Sequence, residues 1–261
     1  MTNKEKILLI SPHLDDAVFS AGAIAAELAA QGHEVHVLTC FTKSVKNPTG
    51  FALACQLDKG LPAEIDYMEL RRQEDQKACQ LLSIIPHWED LPEAPHRGYN
   101  SAKELFQDIK KQGIIADKLL EILEKWIDKI QPQLIISPKG VGNHVDHQQV
   151  CNAIKLLKKK FSNITYLQWF DQPYLIRNPG ILSIKPTTRN QLNIAILRSF
   201  LTKNRNKRVI FDLKSVNMLK FKACAAYESQ VNFQFGSVDK LAGYFDASAK
   251  GNMRFMEILS V

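Results

Sequence analysis

The chain has 261 residues, 45% of them apolar, which is enough to bury one large core, and α/β folds of this length are commonly one domain. Its 34 basic and 27 acidic residues leave a moderate +7, gathered in Lys155 to Lys160 and Lys203 to Arg208; a solvated helix face and a polar loop account for both runs, with a site for anionic partners as the alternative. Five scattered cysteines without a C-x-x-C pair exclude a disulfide scaffold and a cysteine-based zinc knuckle. A polar Met1 to Lys6 leaves no room for a signal peptide, and Ala17 to Ala30 is too short to span a bilayer, so a cytoplasmic protein without a membrane span is expected.

In chain order, Ile7 to Ile10 is an unbroken apolar run that predicts a strand buried on both faces of a parallel sheet. Pro12 ends it, so His13, Asp15 and Asp16 fall just past a strand's carboxyl end, where open α/β sheets place their ligands. Ala17 to Gln31 reads as a helix stopped by Gly32, and Glu34 to Thr42 as a second strand, which together make a right-handed βαβ unit. No G-x-G-x-x-G lies between them, which removes the main support for a dinucleotide site. Residues 43–67 read as a long functional or mobile loop, Glu69 to Leu82 as a helix, and residues 88–113 as mainly irregular. Ile115, Leu119, Ile122, Leu123, Trp126, Ile127 and Ile130 keep helical spacing over four turns. Leu134 to Ile136 is another strand, and it delivers Asn143-His144-Val145-Asp146-His147 to the start of a helix with Asn143 as its cap. Ile164 to Trp169 is a further strand, 171–210 resists assignment, and Ser215 to Ser229 reads as a last helix.

His13 and Asp16 are three apart at a strand exit, and His144 and His147 are three apart at a helix start, so each pair projects to one side. Two imidazole nitrogens and one carboxylate oxygen form the three-ligand set of a catalytic zinc site, with the fourth position left for water. One histidine and one carboxylate then remain for acid and base work.

Ser11-Pro12-His13-Leu14-Asp15-Asp16, Arg71-Arg72-Gln73-Glu74, His144-Val145-Asp146-His147 and Ala226-Tyr227-Glu228-Ser229-Gln230 occur in this order and cover most of the chain. They resemble the LmbE-like, or PIG-L, family of zinc-dependent de-N-acetylases. The resemblance implies a Rossmann-like α/β fold over 1–261, with a mostly parallel sheet and helices on both faces, that removes an N-acyl group, usually acetyl, from an amino sugar or sugar conjugate. It makes His13, Asp16 and His147 the ligands of one zinc or other divalent ion. Asp15 becomes the general base, His144 the oxyanion stabiliser and general acid, and Asp146 an orienting carboxylate. Arg71 matches a position near the substrate, and with Arg97 it suggests a negatively charged sugar conjugate as the small-molecule substrate. Leu14 and Ala17 depart from the commoner Pro and Glu, and Gly142 stands where some members have a tyrosine that helps the transition state. A non-sugar N-acyl amide is the alternative substrate. A basic binding module is the alternative of another class, disfavoured because the lysine runs lack interleaved aromatics, and no nucleic acid is expected.

Overall fold

The computed structural model describes residues 4–110, 115–177, 187–189, 192, 208–211, 213–250 and 256–261. Among these, eight strands form one sheet in the order β3-β2-β1-β4-β5-β8-β7-β6: β1 Lys6–Ser11, β2 Glu34–Thr39, β3 Ile85–Trp88, β4 Leu134–Pro138, β5 Thr165–Trp169, β6 Thr187–Arg189, β7 Arg208–Phe211 and β8 Ile258–Ser260. The five strands from β3 to β5 run parallel, β8 is antiparallel to both its neighbours, and β6 is parallel to β7. This is the mostly parallel sheet that the apolar runs predict and the Rossmann-like α/β arrangement that the family resemblance implies.

The strand pleat divides the core in two. Ile7 and Leu9 of β1, with Val35, Val37, Leu134 and Ile136, pack under α1 (Asp16–Ala30), α3 (Tyr67–Leu81) and a helix at Lys214–Ala225. Leu8, Ile10, Leu38 and Ile135 face the other way, against α4 (Ala116–Ile130) and α5 (Val145–Lys160). Every residue from Ile7 to Ile10 is buried, as the unbroken run requires. Helix α1 breaks regularity at Ala21, and the amides of Ala23 and Ile24 each donate to a Glu257 carboxylate oxygen at 2.8 Å, a second helix start within one helix. Lys220 pairs with that carboxylate at 2.5 Å, so the buried charge is matched.

Three expectations are corrected and one unread element appears. The 43–67 segment is no plain loop, because α2 (Gly50–Leu57) forms inside it. Residues 85–88 pair with β2 as an edge strand despite Pro86, which an edge position tolerates. His144, not Asn143, caps α5, since Asn143 sits at φ 62° and His144 in extended backbone. The 214–225 helix is not the last: the chain breaks at Tyr227 and continues as helices Glu228–Phe235 and Val238–Ala249. The Lys203 to Arg208 run, except Arg208, and most of 171–210 lie outside the described residues. All five cysteines are free thiols, and no described helix is long and apolar enough to cross a membrane.

Candidate metal centre and active-site cleft

β1 and β4 are parallel neighbours in register from Ile7↔Leu134 to Leu9↔Ile136, so their exit loops leave the sheet side by side at its order reversal. In the first loop the Ser11 hydroxyl donates to His13 O (2.7 Å) and accepts from the Ala17 amide (3.1 Å), which fixes the turn without a carboxylate at position 17. Asp15 precedes α1 with φ 144°, a conformation that costs a side-chain-bearing residue roughly 1–3 kcal/mol. Its carboxylate does not cap the helix; it lines the cleft instead. In the second loop, the His144 Nδ1 accepts from the Asp146 amide at 3.2 Å, which leaves Nε2 as the N–H-bearing nitrogen of the neutral ring.

The two loops meet at Asp16. Its Oδ2 lies 3.2 Å from His13 Nδ1 and 3.1 Å from His147 Nε2. Ligand atoms about 2.0–2.2 Å from one tetrahedral ion stand roughly 3.3–3.5 Å apart, and both approaches to Asp16 Oδ2 fall close to that spacing. His147 Nε2 is buried and makes no hydrogen bond, while its Nδ1 is held by Asp171 Oδ1 at 2.9 Å, the carboxylate–imidazole arrangement that orients metal ligands. His13, His144 and His147 also bring one nitrogen each within 4.8 Å of one another, so His144 is an alternative third donor. Asp16 makes the shorter approaches.

Electrostatics point the same way. Burial penalises charge on both imidazoles, but hydrogen bonds to Asp146 and Asp16 outweigh it and raise His13 to about 10, and Asp16 and Asp171 raise His147 well above its ordinary value. Burial would also raise Asp16, yet His147 and His13 hold it well below the usual carboxylate range. Three carboxylates around two imidazoles create a demand for positive charge at one point, and a divalent ion meets it more compactly than two protons. Asp15 behaves oppositely: burial, then repulsion from Asp16, pushes it up to about 8 against the pull of Arg71. Burial, then His13, pushes His144 down to about 3.

The remaining expected site residues take definite places. Asp146 orients His13 rather than His144: its Oδ2 lies 3.0 Å from His13 Nε2 and accepts from the Ala94 amide at 3.0 Å. Arg97 sits behind it, donating to Asp146 Oδ1 at 2.5 Å and Pro92 O at 2.6 Å, and does not line the cleft. Arg71 does line it, donating to Glu93 (2.5 Å) and Leu14 O (3.2 Å) with Asp15 Oδ1 at 3.6 Å; it does not brace Glu74 or Asp75. Those two carboxylates accept instead from the late motif, Glu74 from Ser229 (2.6 Å) and Asp75 from Tyr227 (2.6 Å). The cleft measures about 310 Å³, and α2 contributes Phe51, Ala52, Cys55 and Gln56 to its wall. Asp171, Glu93 and Tyr174 escaped the sequence reading. Asp171 was within reach, since it is a carboxylate two residues past β5, the same strand-exit position as the two clusters.

Comparison with known proteins agrees. The family model for the GlcNAc-PI de-N-acetylases, PIG-L, matches residues 8–157, more than half of the chain and including both clusters. A 2'-N-acetylparomamine deacetylase of Streptomyces fradiae is 28% identical over 151 residues, 58% of this chain and 51% of that protein. A protein of the same name from Niallia circulans is 28% identical over 189 residues, 64% of this chain and 68% of that protein. The chain thus spans about half the length of the first of these relatives. Among solved structures, a teicoplanin deacetylase in its zinc-inhibited form superposes with TM-score 0.76 at 23% identity, covering 97% of this chain and 96% of that one, a likeness of fold. On the match over 8–157, the chain belongs to the GlcNAc-PI de-N-acetylase (PIG-L) family.

Proposed function

We propose that the protein is a zinc-dependent hydrolase that removes an N-acetyl, or related N-acyl, group from an amino-sugar-containing small molecule. The observation that carries this reading is the approach of His13 Nδ1 and of a buried His147 Nε2 to the same oxygen, Asp16 Oδ2, with the Asp15 carboxylate lining the cleft beside it. Two imidazoles and a carboxylate without thiolate suit zinc, and the relatives' deacetylase names support the reaction class. A divalent ion held there would supply Lewis acidity and bring the pKa of the attacking water down to ~7.

The chain's own residues supply the rest. Asp15, which lines the cleft, takes the proton of the attacking water and returns it to the departing amine. His144 directs its Nε2 N–H at the oxygen that gains charge, with Asp146 acting through His13 and the Asp146 amide acting on His144 Nδ1. Arg71 shapes the wall against the sugar. A negatively charged substrate gains little from it, because Arg71 already faces Glu93 and Asp15, so we assign a neutral N-acylated amino-sugar conjugate. The continuous sheet supports one domain over 1–261, and five free thiols support a reducing, cytoplasmic setting.

The test is acetate release from a panel of N-acetylated amino sugars and non-sugar amides, with elemental analysis of protein prepared without chelator. Acetate from the sugars and about one zinc per chain are expected. Release from non-sugar amides alone would overturn the substrate class, and metal content near zero that added zinc does not restore would overturn the site.

A further inference from the structure

Asp16 and His147 are joined by a closed ring of contacts that runs behind the site. Asp16 opens α1, and within the same helix the buried Ser20 hydroxyl accepts from the Gln172 amide at 3.1 Å. Gln172 follows Asp171, whose Oδ1 holds His147 Nδ1, and His147 Nε2 faces Asp16 Oδ2, which closes the ring. Residues 16–20 are by themselves a weak arm for a ligand, because Ala21 at φ −142°, ψ 15° interrupts the helix behind them. The regular helix beyond that break cannot pass its rigidity through to Asp16.

The C-terminal strand supplies what the helix lacks. β8 runs antiparallel beside β5, and the Phe170 amide donates to Ile258 O at 3.2 Å, so Met256 and Glu257 lie alongside Asp171 and Gln172. The Gln172 side-chain amide donates to Met256 O. One residue on, Glu257 spreads its two carboxylate oxygens over the Ala23 and Ile24 amides, which the break deprives of helical acceptors. The ammonium of Lys220 balances that charge, and both side chains are buried. One short segment thus holds α1 just past its break and, through Gln172, the turn that carries Asp171. From this geometry we infer that Glu257 is a positioning residue for the metal centre: by fixing the break in α1 against the Asp171–Gln172 turn, it keeps Asp16 opposite His147. Glu257 touches neither metal nor substrate and acts through Gln172 and Ser20. The inference rests on the metal-site reading above, not on the amide chemistry assigned to it.

Glu257→Gln keeps the shape of the side chain but turns an N–H₂ toward an amide N–H or the Lys220 ammonium, each of which needs an acceptor. In chelator competition well below the melting temperature, the full-length variant should bind zinc roughly 3- to 30-fold more weakly, the range of coupling carried through packed elements. Its cobalt(II) derivative should show an altered visible ligand-field spectrum, the sign of a displaced ligand. Leu123→Ala, in the core under α4, is the stability control: it should lower Tm at least as far and leave zinc affinity and the cobalt spectrum at wild-type values. Ser20→Ala opens the ring while leaving Glu257 in place. It should weaken zinc binding in the same way, and the double variant should lose less than the two single losses combined. If Glu257→Gln does not fold, Ser20→Ala carries the test. Wild-type zinc affinity with a wild-type cobalt spectrum, in Ser20→Ala or in folded Glu257→Gln, would overturn the assignment. Amide hydrogen exchange of the metal-free proteins keeps this failure apart from failure of the metal site, since either variant should speed exchange at 16–26 and 140–148 together. If the wild type takes up no zinc, the metal-site reading falls and exchange alone decides the tether; faster exchange confined to 21–26 overturns it.

Discussion

Adjacent aspartates, Asp15 and Asp16, differ in environment more than in chemistry. Asp16 faces two imidazoles and is held ionised, whereas Asp15 is strained at φ 144°, pushed up by burial and repelled by its neighbour. Asp15→Asn should therefore retain the metal while turnover falls roughly 10²- to 10⁴-fold, the scale of a general base, and Asp16→Asn should instead lose metal. Parallel kinetics and metal analysis check the pair, and the opposite pattern would exchange ligand and base. Asp171 acts one step further out, since its Oδ1 fixes the His147 ring so that Nε2 faces Asp16. Asp171→Asn should weaken metal affinity roughly 10- to 100-fold in chelator competition, the usual effect of removing a ligand's orienting partner.

Edge strand β3 shows how one element's placement creates a pH response away from the cleft. Paired to β2, it brings His87 Nε2 within 2.9 Å of His36 Nδ1, while the His87 ring packs on Trp126 at 4.4 Å. Burial, then the neighbouring His36 and Lys129, lowers the His87 pKa from 6.5 to about 4. Between these values the unfolded chain takes up a proton that the folded one refuses, so stability should fall as pH drops from about 6.5 to about 4. Urea midpoints across that range should decline less steeply in His87→Gln; an unchanged slope would exclude His87 as the source. The motif helix α3 is an element of the same kind, a hub rather than a catalytic segment. Arg71 reaches the cleft, Arg72 donates to Thr42 O at 2.7 Å, and Glu74 and Asp75 tie down the late Tyr227 and Ser229.

The whole molecule closes the site through its topology, because ligands from β1 and from the start of α5 meet only when β1 and β4 are neighbours. A cation bound by both loops should then stabilise the entire fold. At a free zinc concentration a hundredfold above Kd the gain is about 2.7 kcal/mol, or roughly 5–10 °C in Tm for a chain of this size. Scanning calorimetry with and without chelator checks it, and His147→Ala should abolish the shift. The sequence by itself determined the strands β1, β2, β4 and β5, the helices α1, α3, α4 and α5, and both clusters at strand exits, because apolar period and proline position act locally. It also carried the ordered motifs that mark the family. Only the tertiary structure decided that Arg97 lies behind Asp146, that burial beside His13 lowers the His144 pKa, that α2 walls the cleft, and that the space above Gly142 belongs to Tyr174. Those outcomes depend on which distant groups share a buried volume, and desolvation and steric exclusion arise only once the chain has brought them together.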